Sequence, residues 1–156
     1  MIHISIPGRE DLQFHHLLLD MNGTLTVDGE LPKGVKERLE FLKTKLNIYL
    51  LTADTFRTGT RVADELGIEV FIVSPENGGK DKADFASSLE AEGAAAIGNG
   101  FNDVEMMELA RLSIVIIGKE GCSVAALRKA DIAVSNINDA LDLFINPLRL
   151  VATLRG

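Results

Sequence analysis

His16-Leu-Leu-Leu-Asp-Met-Asn-Gly-Thr-Leu-Thr26 is an apolar run that ends in a carboxylate and then enters a glycine-containing loop. The run has the length of a buried strand, so Asp20 lies where that strand turns into the loop. This position suits a nucleophile, because a carboxylate can attack phosphorus and form an acyl phosphate. Gly23 and Thr24 add backbone N–H groups and a hydroxyl nearby. The stretch therefore predicts a phosphoryl acceptor site.

Apolar runs of strand length recur along the chain and alternate with amphipathic segments. The runs are His16–Asp20, Ile48–Leu51, Glu69–Val73, Ala94–Ile97, Ile114–Ile117 and Asp131–Val134. The segments with helical spacing are Lys33–Leu46, Arg57–Leu66, Lys82–Leu89, Asp103–Ala110 and Ser123–Lys129. Strands that are apolar throughout, with helices between them, predict an α/β, Rossmann-like fold of three layers. Its parallel sheet has about six strands and is covered on both faces.

The two ends of the chain carry weaker patterns. Ile2–Ile6 alternates like an edge strand and Val27-Asp-Gly-Glu30 is typical of a tight turn, so we expect a small antiparallel hairpin beside the first loop. From Ile137 a helical pattern runs to Asn146-Pro147, where we expect the tail to break. The apolar ending that follows is expected to pack on the domain's own core, with a subunit contact as the alternative.

The composition narrows the classes of protein that the chain can represent. It has 156 residues, of which 46% are hydrophobic and 25% charged, and this predicts one globular domain spanning residues 1–156. The net charge of −7, without a basic stripe, weighs against a nucleic-acid partner. No apolar run approaches the roughly 20 residues that span a bilayer. Without such a run, we expect no membrane partner. Cys122 is the only cysteine, which suits a reducing compartment, so we expect a cytoplasmic protein.

Polar residues follow several of the predicted strands. Asp20 ends the first core strand, Thr52 follows the second, and residues 99–103 follow the strand that ends at Ile97. Parallel sheets bind ligands beyond the carboxyl ends of their strands, so we expect these residues to share one site. The oxygens of a phosphoryl group need positive partners, and the chain offers Lys80 or Lys82. Magnesium suits this task, because it prefers oxygen ligands and bridges to phosphate.

Four segments, in a fixed order at the ends of predicted strands, resemble the signatures of the haloacid dehalogenase (HAD) superfamily. They are Asp20-Met-Asn-Gly-Thr-Leu-Thr26, Leu51-Thr-Ala-Asp54, Asp81-Lys82 and Gly98-Asn-Gly-Phe-Asn-Asp103. Single Asn-Gly and Asn-Asp pairs are also typical of turns, so the resemblance rests on the order of the segments. More narrowly, residues 17–144 resemble the phosphorylation domain of P-type ATPases. The resemblance implies the HAD fold and a magnesium-dependent phosphatase, a hydrolase that acts through an aspartyl phosphate.

The resemblance also implies roles for individual residues. Asp20 is the implied nucleophile and Asp103 a magnesium ligand, while Asn22 gives its backbone carbonyl to the metal and Asn99 binds it through a carbonyl or a water. The implied phosphate-binding residues are Gly23, Thr52, Ala53, Lys82 and Asn102. Asn102 alternatively positions Asp103. Lys80 is the alternative to Lys82, because Gly78-Gly79 lengthens the loop before the helix, and a solvated helix terminus remains open for either lysine.

Two positions depart from the family pattern. Asn22 occupies the position where phosphatases of the superfamily usually carry an Asp that protonates the leaving group, and an amide cannot do that work. Asn99 replaces the first acid of the fourth segment, which leaves Asp103 as its only carboxylate and predicts a lower magnesium affinity. We therefore expect slow release of phosphate. The alternative is a weakly active or inactive module with a binding or regulatory role.

Short spacings predict that the site has no cap domain. One helix and one strand fill the segment between Asp20 and Thr52, and the segment from Val73 to Lys82 leaves room only for a loop. An uncapped site is open to solvent. The resemblance to capless members of the superfamily suggests either a macromolecular substrate or a homo-oligomer in which a neighbouring subunit forms part of the pocket. A small phosphorylated molecule also remains open as the substrate.

Overall fold

The computed structural model describes residues 1–53, 57–89 and 93–156. The strands in these residues are β1 (Ile2–Ile4), β2 (Leu12–Phe14), β3 (His16–Asp20), β4 (Asn47–Thr52), β5 (Glu69–Ile72), β6 (Ala94–Gly98), β7 (Leu112–Ile116) and β8 (Ile132–Val134). The α-helices are α1 (Val35–Lys43), α2 (Thr58–Leu66), α3 (Gly78–Ser88), α4 (Val104–Leu109), α5 (Val124–Lys129), α6 (Ile137–Ile145) and α7 (Pro147–Leu154). Asp54, which belongs to the second of the four segments, lies outside the described residues.

Six of the described strands form one parallel sheet in the spatial order β5-β4-β3-β6-β7-β8. Strand β3 lies inside the sheet, where Leu19 pairs with Leu50 of β4 on one side and with Ile97 of β6 on the other. Because all six strands are parallel, the loops that follow β3, β4 and β6 emerge at one edge. The predicted α/β, Rossmann-like architecture is confirmed.

The two faces of the sheet carry separate apolar cores, as the alternation of side chains along a strand requires. Leu17 and Leu19 belong to the larger core with residues of α1, α2, α6 and α7, whereas Leu18 belongs to the smaller core with residues of α3, α4 and α5. All three leucines are fully buried. Burial of one such side chain contributes about 1.5–3 kcal/mol. The apolar run of β3 thus contributes side chains to both cores, and the helices on both faces of the sheet pack against this one strand.

The structure refines the predictions for both ends of the chain. The antiparallel hairpin is present, but Ile2–Ile4 pairs with Leu12–Phe14, a strand too short to show a clear period in the sequence. Residues 27–30 form a separate tight turn. At the other end the helix breaks at Asn146 and then resumes as α7, because proline is well suited to the first position of a helix. Leu150 is fully buried, so α7 packs on the domain's own core.

The boundaries of one helix matter for the site. Helix α3 begins at Gly78, before the predicted start at Lys82. A Cβ on Gly79 would lie 3.4 Å from the carbonyl oxygen of Asn102, an ordinary contact distance, so the start of α3 packs directly beside the loop after β6. This contact gives α3 a fixed position beside the carboxyl edge of the sheet.

None of the helices in the described ranges is long and apolar enough to cross a membrane.

Candidate active site

The loops at the carboxyl edge of the sheet bring the predicted polar residues together. Asp20 is the last residue of β3, Thr52 is the last residue of β4, and Asp103 ends a short 3₁₀ turn that follows β6. All three side chains are buried, although each is polar or charged. Buried polar groups of this kind are stable only when they are paired, so their partners define the site.

A lysine from α3 lies between two carboxylates. Nζ of Lys82 donates to Oδ1 of Asp20 at 2.6 Å and to Oδ1 of Asp103 at 2.7 Å. Lys82 and Asp103 are fully buried, and Asp20 is 8% exposed. Lys80, the alternative lysine, is exposed on the same helix. The structure therefore places Lys82, and not Lys80, beside the candidate nucleophile.

The shared ammonium group and the burial change the proton affinity of both partners. The pKa of Asp20 is raised from 3.8 to about 6: burial is the largest cause, the nearby charge of Asp103 acts in the same direction, and Lys82 opposes both. For Lys82, burial lowers the pKa, but the two carboxylates outweigh it and hold the pKa above its ordinary value. The lysine is therefore charged at neutral pH, while Asp20 is close to its titration range.

The raised pKa of Asp20 predicts a specific dependence of stability on pH. The folded state holds the Asp20 proton up to about pH 6, whereas an unfolded carboxyl loses it near 3.8, so this group stabilises the fold at low pH. Its contribution is lost as the pH rises through this window. We expect the free energy of unfolding of the parent, relative to Asp20→Asn, to fall between pH 4 and 6. Urea unfolding of both proteins in the presence of a chelator measures this difference.

Subtraction of the Asp20→Asn curve removes other acids that titrate nearby, such as Asp142, whose pKa is lowered by the Arg38 guanidinium that donates to it. Asp142 acts with the opposite sign, because its stabilisation appears as the pH rises. A difference curve that rises with pH, or that is flat, would show that the pKa of Asp20 is not raised in the folded protein.

Backbone groups hold Asp103 in its orientation. Its Oδ2 accepts the N–H groups of Asn99 at 3.0 Å and Gly100 at 2.9 Å, while Oδ1 accepts from Lys82. A Cβ on Gly98 would lie 2.5 Å from Cγ of Asp103, so only glycine leaves room for this carboxylate. The glycine at position 98 thus allows the backbone to pack closely against the buried carboxylate of Asp103.

Asn99 ties together the loops that follow β3, β6 and β7. Its Oδ1 accepts the hydroxyl of Thr24 at 3.1 Å, and its Nδ2 donates to the carbonyl oxygen of Gly121 at 3.1 Å. Gly23 has φ +79°, and a Cβ there would lie 2.3 Å from Nδ2 of Asn99. Thr24 is fully buried in this contact. The sequence predicted its hydroxyl in the phosphoryl acceptor loop, but not the contact with Asn99.

The other predicted site residues are distributed around this centre. Asn22 and Asn102 are exposed, and Ala53 is half-buried directly after β4. The carbonyl oxygen of Thr52 accepts the N–H of Val73 at 2.9 Å, which ties β4 to the residue after β5. The phosphate-binding and metal-binding roles of these residues stay predictions.

The oxygen donors at the site suit a hard divalent cation, although only two of them belong to carboxylates. The carboxylates of Asp20 and Asp103 share one ammonium group and are therefore close to each other, and carboxylate oxygens are ligands that Mg²⁺ accepts. Among residues 1–53, 57–89 and 93–156, no group of three or more His, Cys, Asp and Glu residues is arranged to hold a metal ion. Asp20, Asp103 and the backbone carbonyl of Asn22 are the residues that would hold the cation.

Comparison with known sequences gives partial matches. No protein-family model matches the chain. An uncharacterised protein of Methanocaldococcus jannaschii is 50% identical over 60 residues, which are 38% of this chain and 64% of that protein. The soluble P-type ATPase-like phosphatase of the same organism is 32% identical over 124 residues, or 77% of this chain and 45% of that protein. The chain thus spans less than two thirds of either relative.

Comparison with solved structures decides the fold. The cobalt-bound deoxy-D-mannose-octulosonate 8-phosphate phosphatase of Haemophilus influenzae has a TM-score of 0.72 at 15% identity, covering 92% of this chain and 94% of that one. A HAD family hydrolase described as putative, from Streptomyces avermitilis, has a TM-score of 0.65 at 17% identity, covering 88% and 84%. The chain has the haloacid dehalogenase fold. The resemblance inferred from the four segments is confirmed at the level of the fold.

A third structure with the HAD fold was solved with ligands. The 3-deoxy-D-manno-octulosonate 8-phosphate phosphatase of Moraxella catarrhalis, in complex with a magnesium ion, a phosphate ion and its sugar acid, has a TM-score of 0.67 at 19% identity. It covers 91% of this chain and 94% of that one. Another protein with a similar fold therefore binds magnesium and phosphate together.

Proposed function

We propose that the chain is a magnesium-dependent phosphohydrolase or phosphotransferase that acts through an aspartyl phosphate at Asp20. The observation that carries this proposal is Lys82, whose Nζ contacts Asp20 and Asp103 at the carboxyl edge of the sheet. A buried ammonium group beside a carboxylate of raised pKa is an arrangement found at functional sites. The named phosphatase relative and the phosphatases of the same fold support the same reaction class.

The first chemical step is the attack of a carboxylate oxygen of Asp20 on phosphorus. The new O–P bond forms while the bond from phosphorus to the leaving oxygen breaks, and that oxygen takes its electron pair away. Two of the three N–H donors of Lys82 contact carboxylates, and the third suits a phosphoryl oxygen. Bound Mg²⁺ would neutralise further charge on the transferred group. In the second step, water or an acceptor alcohol attacks phosphorus and releases Asp20.

Asn22 determines the expected speed of the second step. Its carboxamide is exposed at the loop after β3, and it has no proton to exchange with a leaving group or an attacking water near neutral pH. We therefore propose that the aspartyl phosphate persists. A general acid–base at this position would typically accelerate proton transfer by about two to four orders of magnitude.

Asn22→Asp is expected to increase phosphate release by about two to four orders of magnitude at saturating magnesium. The reason is that a carboxyl group at this position can protonate the leaving oxygen and later accept a proton from water. Single-turnover decay of the phosphoprotein measures the change directly. Asn47→Asp is the matched control, because it adds the same charge at an exposed asparagine at the start of β4, away from the predicted site. An unchanged decay rate in Asn22→Asp would refute the assignment of Asn22 as the limiting residue.

The proposed reaction is tested with acetyl phosphate and p-nitrophenyl phosphate in the presence of magnesium. We expect a phosphoprotein that is stable in acid and labile to hydroxylamine, as an acyl phosphate is, together with slow release of phosphate. Omission of magnesium should lower both signals. If neither compound gave an adduct or turnover, the proposal that the chain is a phosphohydrolase or phosphotransferase would be rejected.

A binding or regulatory module is the second candidate, and Asn99 favours it. Its amide already contacts Thr24 and Gly121, so this position braces loops and adds no negative charge for a cation. This candidate predicts that phosphate and magnesium bind without turnover. The decisive difference is the phosphoprotein, which a module of this kind does not form. The predicted homo-oligomer is checked separately by solution mass at several concentrations.

A further inference from the structure

A second feature lies at the carboxyl edge of the sheet, beside the nucleophile loop. It is an open cleft of about 470 Å³ whose floor is formed where β7 and β8 end, at Ile116 and Ser135. Its roof is formed by residues 27–32, and Gly23 and Thr24 of the nucleophile loop also line it. The cleft is therefore continuous with the loop that carries Asp20, and its volume lies within the range of sites for small molecules.

The roof of the cleft is a rigid turn. Val27 and Glu30 exchange two backbone hydrogen bonds of 3.0 Å each, and Asp28 and Gly29 both have positive φ. This is the conformation of a two-residue hairpin turn that an Asp-Gly pair favours. The backbone N–H of Asp28 also donates to Oε2 of Glu120 at 3.2 Å, which ties the turn to the loop after β7. The cleft is thus held open between two anchored loops.

The walls of the cleft favour an apolar occupant. Val27, Leu31, Ile116 and Ile137 line it, and apolar atoms form the larger part of its exposed surface. The amide of Asn136 also lines it but is already occupied, since its Oδ1 accepts the N–H of Asp139 at 3.0 Å and its Nδ2 donates to the Asp139 carboxylate at 2.6 Å.

Charges at the cleft oppose an anionic occupant. Asp28 and Glu30 contribute two carboxylates to the lining, against the single ammonium group of Lys119. An apolar body that carries its negative charge only at the phosphate end would avoid these carboxylates. A phosphate group would then lie towards Gly23 and Thr24, which both the cleft and the candidate active site share.

We propose that this cleft binds the apolar organic part of a phosphorylated small molecule, while its phosphate group is presented to Asp20. The position of the phosphate group in this proposal rests on the proposed function. The position of the organic part rests on the cleft alone. A fused bicyclic aromatic ring is a suitable probe, because it is apolar, rigid and small enough for the cleft. The substrate class is therefore a phosphate ester of an apolar alcohol or phenol.

The test compares 1-naphthyl phosphate with acetyl phosphate, whose organic part is too small to need the cleft. Ser135→Phe fills the cleft from an exposed floor position, and Thr153→Phe is the control, an equal substitution on exposed α7. We expect Ser135→Phe to lower kcat/KM for 1-naphthyl phosphate at least about tenfold, which is the usual effect of altering an apolar subsite. Phosphoprotein formation from acetyl phosphate should be unchanged in both variants.

A fluorescence titration with 1-naphthol separates this proposal from the proposed function. We expect 1-naphthol to bind the parent and Thr153→Phe equally, and to bind Ser135→Phe and the roof variant Val27→Phe more weakly. This result, without any turnover or phosphoprotein, would reject the proposed function and still support the cleft as the apolar site. Equal binding to all four proteins, or equal loss with both phosphates in Ser135→Phe, would overturn the proposal. Thermal unfolding of each variant shows that the fold is retained.

Discussion

Asp20→Asn is expected to abolish the phosphoprotein and to lower phosphate release by about four orders of magnitude or more, as loss of a nucleophile usually does. The carboxamide keeps the size of the side chain at the end of β3 but cannot form an acyl phosphate. The fold should survive, because Lys82 keeps its ion pair with Asp103 and the amide oxygen of the new side chain can still accept from the Lys82 ammonium group. Acid-quenched labelling with acetyl phosphate, followed by hydroxylamine, measures the adduct.

Asp84→Asn is the matched control for the nucleophile, since Asp84 is an exposed carboxylate on α3. It should label and turn over as the parent does. An adduct of undiminished yield in Asp20→Asn would place the phosphoryl group on another residue, and peptide mapping of the labelled protein would identify it. Equal thermal unfolding of the two variants would exclude loss of the fold as the cause of the lost label.

Lys82→Ala is expected to lower the free energy of unfolding by about 3–5 kcal/mol, the usual consequence of removing one partner from a buried ion pair. The substitution leaves Asp20 and Asp103 buried next to each other without the ammonium group that both contact. For a domain of this size each kcal/mol lowers the Tm by about 2–4 °C. Urea unfolding and thermal scans both measure the loss, and the phosphoprotein should also disappear.

Lys80→Ala provides the control, because Lys80 is exposed on the same helix, and we expect a change within about 0.5 kcal/mol. The deficit of Lys82→Ala should shrink as the pH falls, since Asp20, whose pKa is raised to about 6, then takes up a proton and no longer repels Asp103. A variant as stable as the parent at pH 8 would show that Lys82 does not neutralise the two acids.

The sequence predicted the sheet well because β3 and β6 are buried on both faces. A strand such as Ala94–Gly98, buried at every position, shows an unbroken apolar run that few other structures produce. Because the strands are parallel, the polar residues that follow them were then expected at the same edge of the sheet. Strand β2 escapes this reasoning, because its three residues show too little of any period.

The candidate site was predictable as a set of residues but not as a set of contacts. Lys80 and Lys82 differ by about 200° around a helix, so the choice between them depends on how α3 is rotated against the sheet. Helix α3 packs beside Asn102 and α4, which come later in the chain, so its rotation depends on tertiary contacts and not on the sequence of the helix alone. The contact of Asn99 with Thr24 and Gly121, and the cleft over β7 and β8, depend on loop positions in the same way.

The amide of Asn99 also separates the assembly of the site from the binding of a cation. An amide accepts and donates hydrogen bonds at once, as the contacts with Thr24 and Gly121 require. A carboxylate at this position would lose the donor to Gly121 and would add a negative charge that needs a counterion. Because Asn99 and Lys82 hold the loops without one, the fold does not need a cation to assemble. Magnesium that binds the folded site should raise the thermal stability only at concentrations above the dissociation constant of the site.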